Sequence, residues 1–172
     1  ESGHSLTPTL VRTWGPRGQT PLVWQWVTRD HLSTITALTV SPKRQRLRLY
    51  LHTLPRAFNG LDVRAFGRAL LRHLRGAVVL LWDRGTIHRR REVQVFILAH
   101  PRLHQEFFPA YAPELNPAEH VWTQTDRRLA NSAPPDLAAL HGRLRNAVRR
   151  LRGTQRLLRA CITGSELPWK YW

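Results

Sequence analysis

The stretch Phe107-Phe-Pro-Ala-Tyr-Ala-Pro-Glu-Leu-Asn-Pro-Ala-Glu-His-Val-Trp122 is a proline-rich loop that ends where a helix begins. Asn116 has a side chain suited to capping a helix, and proline suits the first helical position, here Pro117. Glu119 then falls where a carboxylate could complete a capping box. Its alternative role is that of a metal ligand, and the stretch by itself leaves both roles open.

Outward from this loop, the preceding residues predict two strands. Leu103–Phe107 is a short strand candidate, and Ala77–Trp82 is an unbroken apolar run, typical of a strand covered on both faces. Asp83 follows the run at its carboxyl end, where α/β sheets usually place ligands and catalytic groups. The alternative is that Asp83 is only a turn residue in Asp-Arg-Gly.

The amino-terminal half is predicted to be mostly β-structure. Residues 1–7 read as the end of a strand, Arg12–Pro21 as a Gly- and Pro-rich loop, and Leu22–Val27 as a candidate strand. Alternating apolar residues predict an antiparallel hairpin, with strands His31–Val40 and Arg46–Thr53.

Helices are predicted from periodic apolar residues and capping signals. They run from the Asn59 cap to Gly76, over Arg89–Ala99, from Pro117 to Leu129, and over Asp136–Ile162 with a break at Gly153. Strands and helices in this order predict an α/β fold with a mixed sheet flanked by helices.

Length and composition restrict the classes to which the protein can belong. The 172 residues, of which 42% are hydrophobic, suit one domain with a sizeable core. The longest apolar runs are too short to cross a membrane and no signal-peptide pattern is present, so we expect a soluble cytoplasmic protein. The single cysteine, Cys161, excludes a disulfide framework and a cysteine-rich zinc site, and its apolar neighbours predict a buried, inert thiol.

The charge is the strongest compositional signal. Twenty-seven Lys and Arg residues oppose eleven Asp and Glu residues, for a formal net charge of +16. A domain this basic is usually built to bind a polyanion, which favours nucleic acid. A GC-rich genome would explain the preference for Arg over Lys, but not the net charge.

Eight basic residues are candidates for DNA-backbone contacts, because arginine in particular suits phosphate oxygens. They are Arg12, Arg17, Lys43, Arg44, Arg46, Arg84, His88 and Arg149. Three of these residues have alternative roles. The loop of Arg12 and Arg17 could be a surface turn with Trp14 pinned to the core, and His88 could cap the next helix.

A pair of carboxylates beside such a basic surface suggests metal-dependent chemistry. Asp83 and Glu119 are candidate catalytic residues and candidate ligands of magnesium or manganese, which prefer carboxylate oxygens. Two such ions can activate an attacking oxygen and stabilise a leaving oxygen in phosphodiester cleavage, and a third acid would normally help to hold them.

Two segments together resemble a known family. Trp82-Asp-Arg-Gly-Thr-Ile-His88 followed by Ala110-Tyr-Ala-Pro-Glu-Leu-Asn-Pro-Ala-Glu-His-Val-Trp122 resembles the catalytic core of mariner-like DDE transposases of bacterial insertion sequences. The 35 residues between Asp83 and Glu119 are close to the usual interval of that superfamily. The segments Arg12–Thr20 and Leu38–Pro42 are also similar, and the resemblance spans essentially the whole chain.

The resemblance implies an RNase H-like DDE catalytic domain over residues 1–172. It also implies two Mg²⁺ or Mn²⁺ ions, cleavage and strand transfer of DNA at element ends and target, a homodimer, and a bacterial, nucleoid-associated location. Asp83 matches the second acid and Glu119 the third. The first belongs to an Asp-Glu-Ser-Gly motif, so it is expected just upstream of Glu1, with a helix-turn-helix region before it.

Two other functions fit the same residues. One is a catalytically inactive, DNA-binding remnant of a decayed transposase, and the other is a structural RNA-binding protein. Metal-dependent nicking would distinguish the enzyme from both.

Overall fold

Five strands and five helices make up the fold in the computed structural model, which describes residues 2–7, 9–24, 30–41, 43 and 45–168. The strands are β1 (Ser2–Ser5), β2 (His31–Ser41), β3 (Arg46–Leu54), β4 (Val78–Trp82) and β5 (Leu103–Phe107). The helices are α1 (Gly60–His73), α2 (Arg91–Leu98), α3 (Pro117–Leu129), α4 (Leu137–Arg152) and α5 (Gln155–Thr163). The predicted α/β class is confirmed.

Hydrogen bonds between the described residues form two sheets. β1, β2 and β3 make an antiparallel sheet in that order, and β4 pairs with β5 in parallel. The predicted hairpin is confirmed, with Ser33 opposite Leu54 and Ser41 opposite Arg46. Parallel and antiparallel pairings therefore both occur, as predicted, although these residues form two sheets rather than one continuous sheet.

One predicted strand is wrong in its described part. Residues 22–24 form no strand, and the other residues of Leu22–Val27 lie outside the described part of the chain.

Helix α1 begins at a capping box, which explains its sharp start. The Asn59 side chain accepts a hydrogen bond from the Asp62 N–H at 3.0 Å, and the Asp62 carboxylate accepts one from the Asn59 N–H at 2.9 Å. The helix ends at His73, earlier than predicted. Gly76 instead takes a left-handed conformation with φ of 75° in the turn before β4.

Two groups of helices pack on different parts of the sheets. Helices α3, α4 and α5 bury a large core against β3, centred on Leu47, Leu144, Leu151, Leu158 and Ile162. Helices α1 and α2 share a second core with Ile35 of β2 and Trp82 of β4. This second core joins the two sheets and fixes the end of β4, from which Asp83 emerges.

The expectation that β4 is covered on both faces is wrong. Val79 is 61% exposed and Leu81 is 43% exposed, whereas Val78 and Leu80 pack against α1, α2 and β5. The difference arises because α3–α5 pack against the antiparallel sheet, which leaves this face of β4 open.

The carboxyl-terminal helices agree with the sequence pattern. Gly153 follows α4 at its end, so the predicted break is confirmed. Cys161 is 1% exposed, which confirms the predicted buried thiol, and burial raises the pKa of that thiol to about 11. None of the helices in the described ranges is both long enough and apolar enough to cross a membrane.

Candidate active site

Asp83 lies at the carboxyl end of the parallel pair. Trp82 is opposite Phe107, and the next N–H, that of Phe108, donates to the Trp82 carbonyl at 2.9 Å. The Asp83 side chain is 51% exposed, and its Oδ1 accepts a hydrogen bond from the Gly85 N–H at 2.9 Å. Asp83 is therefore a turn residue, as the simpler interpretation predicted, but its carboxylate is also open to solvent.

Glycine at position 85 allows the backbone to lie close to the Asp83 carboxylate. A Cβ at position 85 would lie 2.9 Å from Asp83 Oδ1, closer than side-chain atoms normally pack. A larger residue would push the carboxylate out of its place. The Asp-Arg-Gly sequence thus fixes the position of the acid.

His88 is the main electrostatic partner of Asp83. It belongs to a 3₁₀ turn, Thr86–Arg89, which brings its Nε2 to 3.3 Å from Asp83 Oδ1. The hydrogen bond from His88, followed by that from Gly85, lowers the pKa of Asp83 to about 2, against the opposing effect of partial burial. Asp83 is therefore ionised at neutral pH and ready to bind a cation.

The imidazole of His88 is held between Asp83 and the core. It is 5% exposed and stacks on the indole of Trp82, with ring centroids 4.3 Å apart. The cap interpretation is wrong, because no side chain caps this turn or the helix that follows it. Because the His88 ring points inward, its role is to position Asp83. The exposed arginines are better placed than His88 to contact phosphates.

Glu119 lies in the first turn of α3, with its carboxylate exposed. The cap of this helix is Asn116, whose side chain accepts from the Ala118 N–H at 3.1 Å. The Asn116 N–H itself donates to the Pro113 carbonyl at 2.9 Å, so it does not bind the Glu119 side chain. The capping-box interpretation of Glu119 is therefore wrong, and its carboxylate makes no hydrogen bond to any residue in the described ranges.

Both acids come from segments that leave the same edge of the β4–β5 pair. The Arg84 Nε donates to the Phe108 carbonyl at 3.1 Å, which ties the loop after β4 to the loop after β5. In that second loop Tyr111 is fully exposed in a left-handed conformation, with φ of 57°. Within the described residues, no three His, Cys, Asp or Glu side chains form a group that could hold a metal ion. Asp83 and Glu119 thus supply carboxylate oxygens suited to a divalent cation, but not a three-ligand set.

The other candidate DNA contacts are spread over several elements. Arg12 and Arg17 lie in the exposed loop after β1, where Trp14 is 99% exposed, so the idea that this tryptophan is pinned to the core is wrong. The exposed candidates elsewhere are Lys43, Arg46, Arg84 and Arg149, whereas Arg44 lies outside the described residues. Their DNA contacts remain predictions.

Sequence reasoning missed a second histidine–carboxylate pair. His4 of β1 is buried, and its Nδ1 lies 3.2 Å from Asp126 Oδ1 of α3, while its Nε2 lies 3.2 Å from the Thr34 hydroxyl of β2. The pair links the helix that carries Glu119 to the antiparallel sheet. The alternating pattern of β1 was too short to show that His4 points inward.

Comparison with known proteins identifies the family. A family model for DDE superfamily endonucleases matches residues 1–141. No curated protein sequence matches the chain significantly.

Solved structures of Mos1 share the fold. The Mos1 strand transfer complex matches with a TM-score of 0.54 and 17% identity over 96% of this chain and 51% of that one. The Mos1 mariner paired-end complex with Mn matches with a TM-score of 0.58 and 15% identity over 99% of this chain and 54% of that one. This chain therefore spans about half the length of the Mos1 chains. Since the family model covers most of its sequence, the chain belongs to the DDE superfamily endonucleases, with an RNase H-like α/β fold.

Proposed function

We propose that residues 1–172 form the catalytic domain of a transposase that cleaves DNA strands and joins them to a target. The observation that carries this proposal is the state of Asp83, an ionised and half-exposed carboxylate held at the end of β4 by His88 and Gly85. Membership of the DDE endonuclease family and the fold shared with Mos1 support it.

Asp83 and Glu119 are the residues that would hold divalent cations. Both offer carboxylate oxygens to solvent, as hard cations such as Mg²⁺ and Mn²⁺ require. Two bound ions would supply activation of the attacking oxygen and charge stabilisation of the leaving oxygen. The resemblance to mariner-like transposases implies a third acid, an aspartate upstream of Glu1.

The proposed reaction has two steps at phosphorus. Hydrolysis of a phosphodiester at the element end releases a 3′-hydroxyl, and that hydroxyl then attacks a target phosphodiester and displaces its 3′-oxygen. His88 holds the Asp83 carboxylate in place, and Gly85 allows the close turn. Exposed arginines such as Arg12, Arg17 and Arg46 would hold phosphates with little sequence information.

The proposal includes the assembly and its setting. The resemblance to insertion-sequence enzymes suggests a homodimer that acts on element ends and target DNA, associated with the nucleoid of a bacterial cell.

Substitution of the two acids tests the proposal directly. The protein would be a chain extended to include the upstream aspartate, and Asp83→Asn and Glu119→Gln should each abolish strand transfer in Mg²⁺ or Mn²⁺. Glu114→Gln is the matched control, because Glu114 is an exposed acid in the segment just before α3, and it should keep activity.

Gel analysis of nicked and joined products would report the outcome, with DNA binding measured in parallel. Strand transfer that survives Asp83→Asn would show that the assignment of the site is wrong. Salt-sensitive binding with no nicking by the extended chain would instead identify an inactive DNA-binding remnant.

A further inference from the structure

A basic groove follows the outer edge of β3, in a part of the fold separate from Asp83. It has a volume of about 350 Å³, and its polar lining residues come from β3, α1, α4 and α5: Arg46, Arg48, Tyr50, His73, Arg152 and Gln155. β3 is the edge strand of the antiparallel sheet, whereas Asp83 follows β4 of the parallel pair. The groove is thus a separate surface feature.

Side chains, rather than another strand, cover this edge. The Leu47 N–H donates to Gln155 Oε1 at 3.0 Å, and Gln155 Nε2 donates to the Leu47 carbonyl at 2.9 Å. Arg152 Nε donates to the Leu49 carbonyl at 2.8 Å. These bonds block strand addition at this edge and hold the Arg152 guanidinium in a fixed position beside the groove.

The positive charge of the groove is not compensated by its surroundings. None of the described residues that line it is acidic, and Arg46, Arg48 and Arg152 form no ion pair with any described residue. Arg152 uses only Nε internally, so its two terminal nitrogens have no partner in the described part of the chain. Tyr50 stacks on His73, with ring centroids 5.6 Å apart, and forms a firm aromatic wall.

Arginines with unused donors are suited to phosphate oxygens, which a guanidinium can bind through two parallel hydrogen bonds. The volume is at the small end of the roughly 300–1,000 Å³ typical of ligand pockets, and the groove is open rather than enclosed. A short run of backbone phosphates fits such a surface better than a buried small molecule does.

We propose that this groove is a second binding site for the phosphodiester backbone of duplex DNA, away from the catalytic edge. The choice of DNA rests on the proposed function, but binding in the groove does not require the chain to cut DNA. Arg46, Arg48 and Arg152 contact the phosphates, and the Tyr50–His73 pair limits how deeply the backbone can enter.

The test is the salt dependence of DNA binding, measured by fluorescence anisotropy in an Asp83→Asn background with EDTA, so that no strand is cut. Each phosphate contact adds about 0.9 to the slope of log affinity against log salt concentration. The double variant Arg46→Gln with Arg48→Gln should therefore reduce the slope by about 2. Both side chains are exposed, so an unchanged melting temperature would show that the fold is kept.

Two matched variants make the result specific. Arg143→Gln with Arg145→Gln removes the same charge from exposed positions of α4 outside the groove, and should change the slope much less. Arg46→Lys with Arg48→Lys keeps the charge and should keep most of the slope. Equal effects of the two glutamine pairs, no effect of the groove pair, or a larger loss on single-stranded RNA than on duplex DNA would overturn the proposal.

The outcome can be separated from that of the proposed function. If the groove variants behave as expected while the extended chain never cuts DNA, only the proposed catalytic function fails. If strand transfer depends on Asp83 and Glu119 while the groove pair has no effect, only the present inference fails.

Discussion

At the scale of single residues, Asp83 shows how a local role and a chemical role can coincide. The sequence offered a choice between a turn residue and a catalytic acid. In the structure one oxygen of Asp83 closes the turn to Gly85, while half of the side chain remains exposed. The partner that contributes most to lowering its pKa, His88, was visible in the sequence, but the inward orientation of His88 depends on stacking against Trp82.

The ionisation of Asp83 gives a prediction at this scale. His88→Phe keeps an aromatic ring against Trp82 but removes the hydrogen bond that contributes most to lowering the pKa of Asp83. We expect that pKa to rise from about 2 towards its ordinary value of about 3.9. A carboxyl carbon NMR titration of the metal-free protein would measure the shift.

The same shift has a consequence for stability. Because the folded pKa lies below the unfolded one, ionised Asp83 stabilises the fold above the unfolded pKa, and this contribution is lost as the pH falls towards about 2. The His88→Phe variant should lose less stability than the wild type over that acid range. An Asp83 pKa that stays near 2 in the variant would contradict the role assigned to His88.

At the scale of elements, the sequence predicted what local patterns determine. The β2–β3 hairpin, the Asn59 cap, β5 and the break at Gly153 all follow from alternation, capping or glycine placement within a few residues. The exposed face of β4 was not predictable in this way. Coverage of a strand depends on where distant helices pack, and α3–α5 pack on the antiparallel sheet instead.

Helix glycines provide a prediction at the element scale. Alanine normally stabilises a helix interior by about 1 kcal/mol relative to glycine. At Gly67 of α1, however, a new Cβ would lie 2.8 Å from the buried ring of Phe96 in α2. We expect Gly67→Ala to destabilise the protein by about 1–3 kcal/mol, because the two helices must move apart.

Gly142 of α4 is the matched control. A Cβ there meets no atom within 4 Å, so Gly142→Ala should raise stability by roughly 0.5–1 kcal/mol. Urea unfolding of the two variants would measure both changes. Stabilisation by Gly67→Ala would mean that α1 and α2 are not packed as closely as described.

At the scale of the whole molecule, the net charge of +16 dominates how the chain meets other molecules. The acidic and basic groups in the described part of the chain form few ion pairs, so most of the positive charge remains available at the surface. The excess of positive charge follows directly from the composition. The composition did not show that Arg46 and Arg48 share a groove with Arg152, since that arrangement needs the packing of α4 beside β3.

This charge predicts strongly salt-dependent binding. If six to ten phosphates are contacted, affinity for duplex DNA should fall by about 10³–10⁵ between about 50 and 200 mM salt. AT-rich and GC-rich duplexes should show the same loss, because phosphate contacts carry no sequence information. Filter-binding titrations would measure it, and a flat salt dependence would show that the surface charge is not used for DNA.

The hydrogen bonds between Gln155 and Leu47 also affect when the edge of β3 becomes protected during synthesis of the chain. They span 108 residues, so the ribosome adds that many more residues, at about 5–20 residues per second, before the edge of β3 can be closed. For roughly 5–20 s each nascent chain therefore presents an unprotected strand edge to its neighbours on the same messenger RNA. Helix α5, which supplies Gln155, therefore protects the edge of β3 only late in synthesis, and chains released before residue 155 are expected to aggregate.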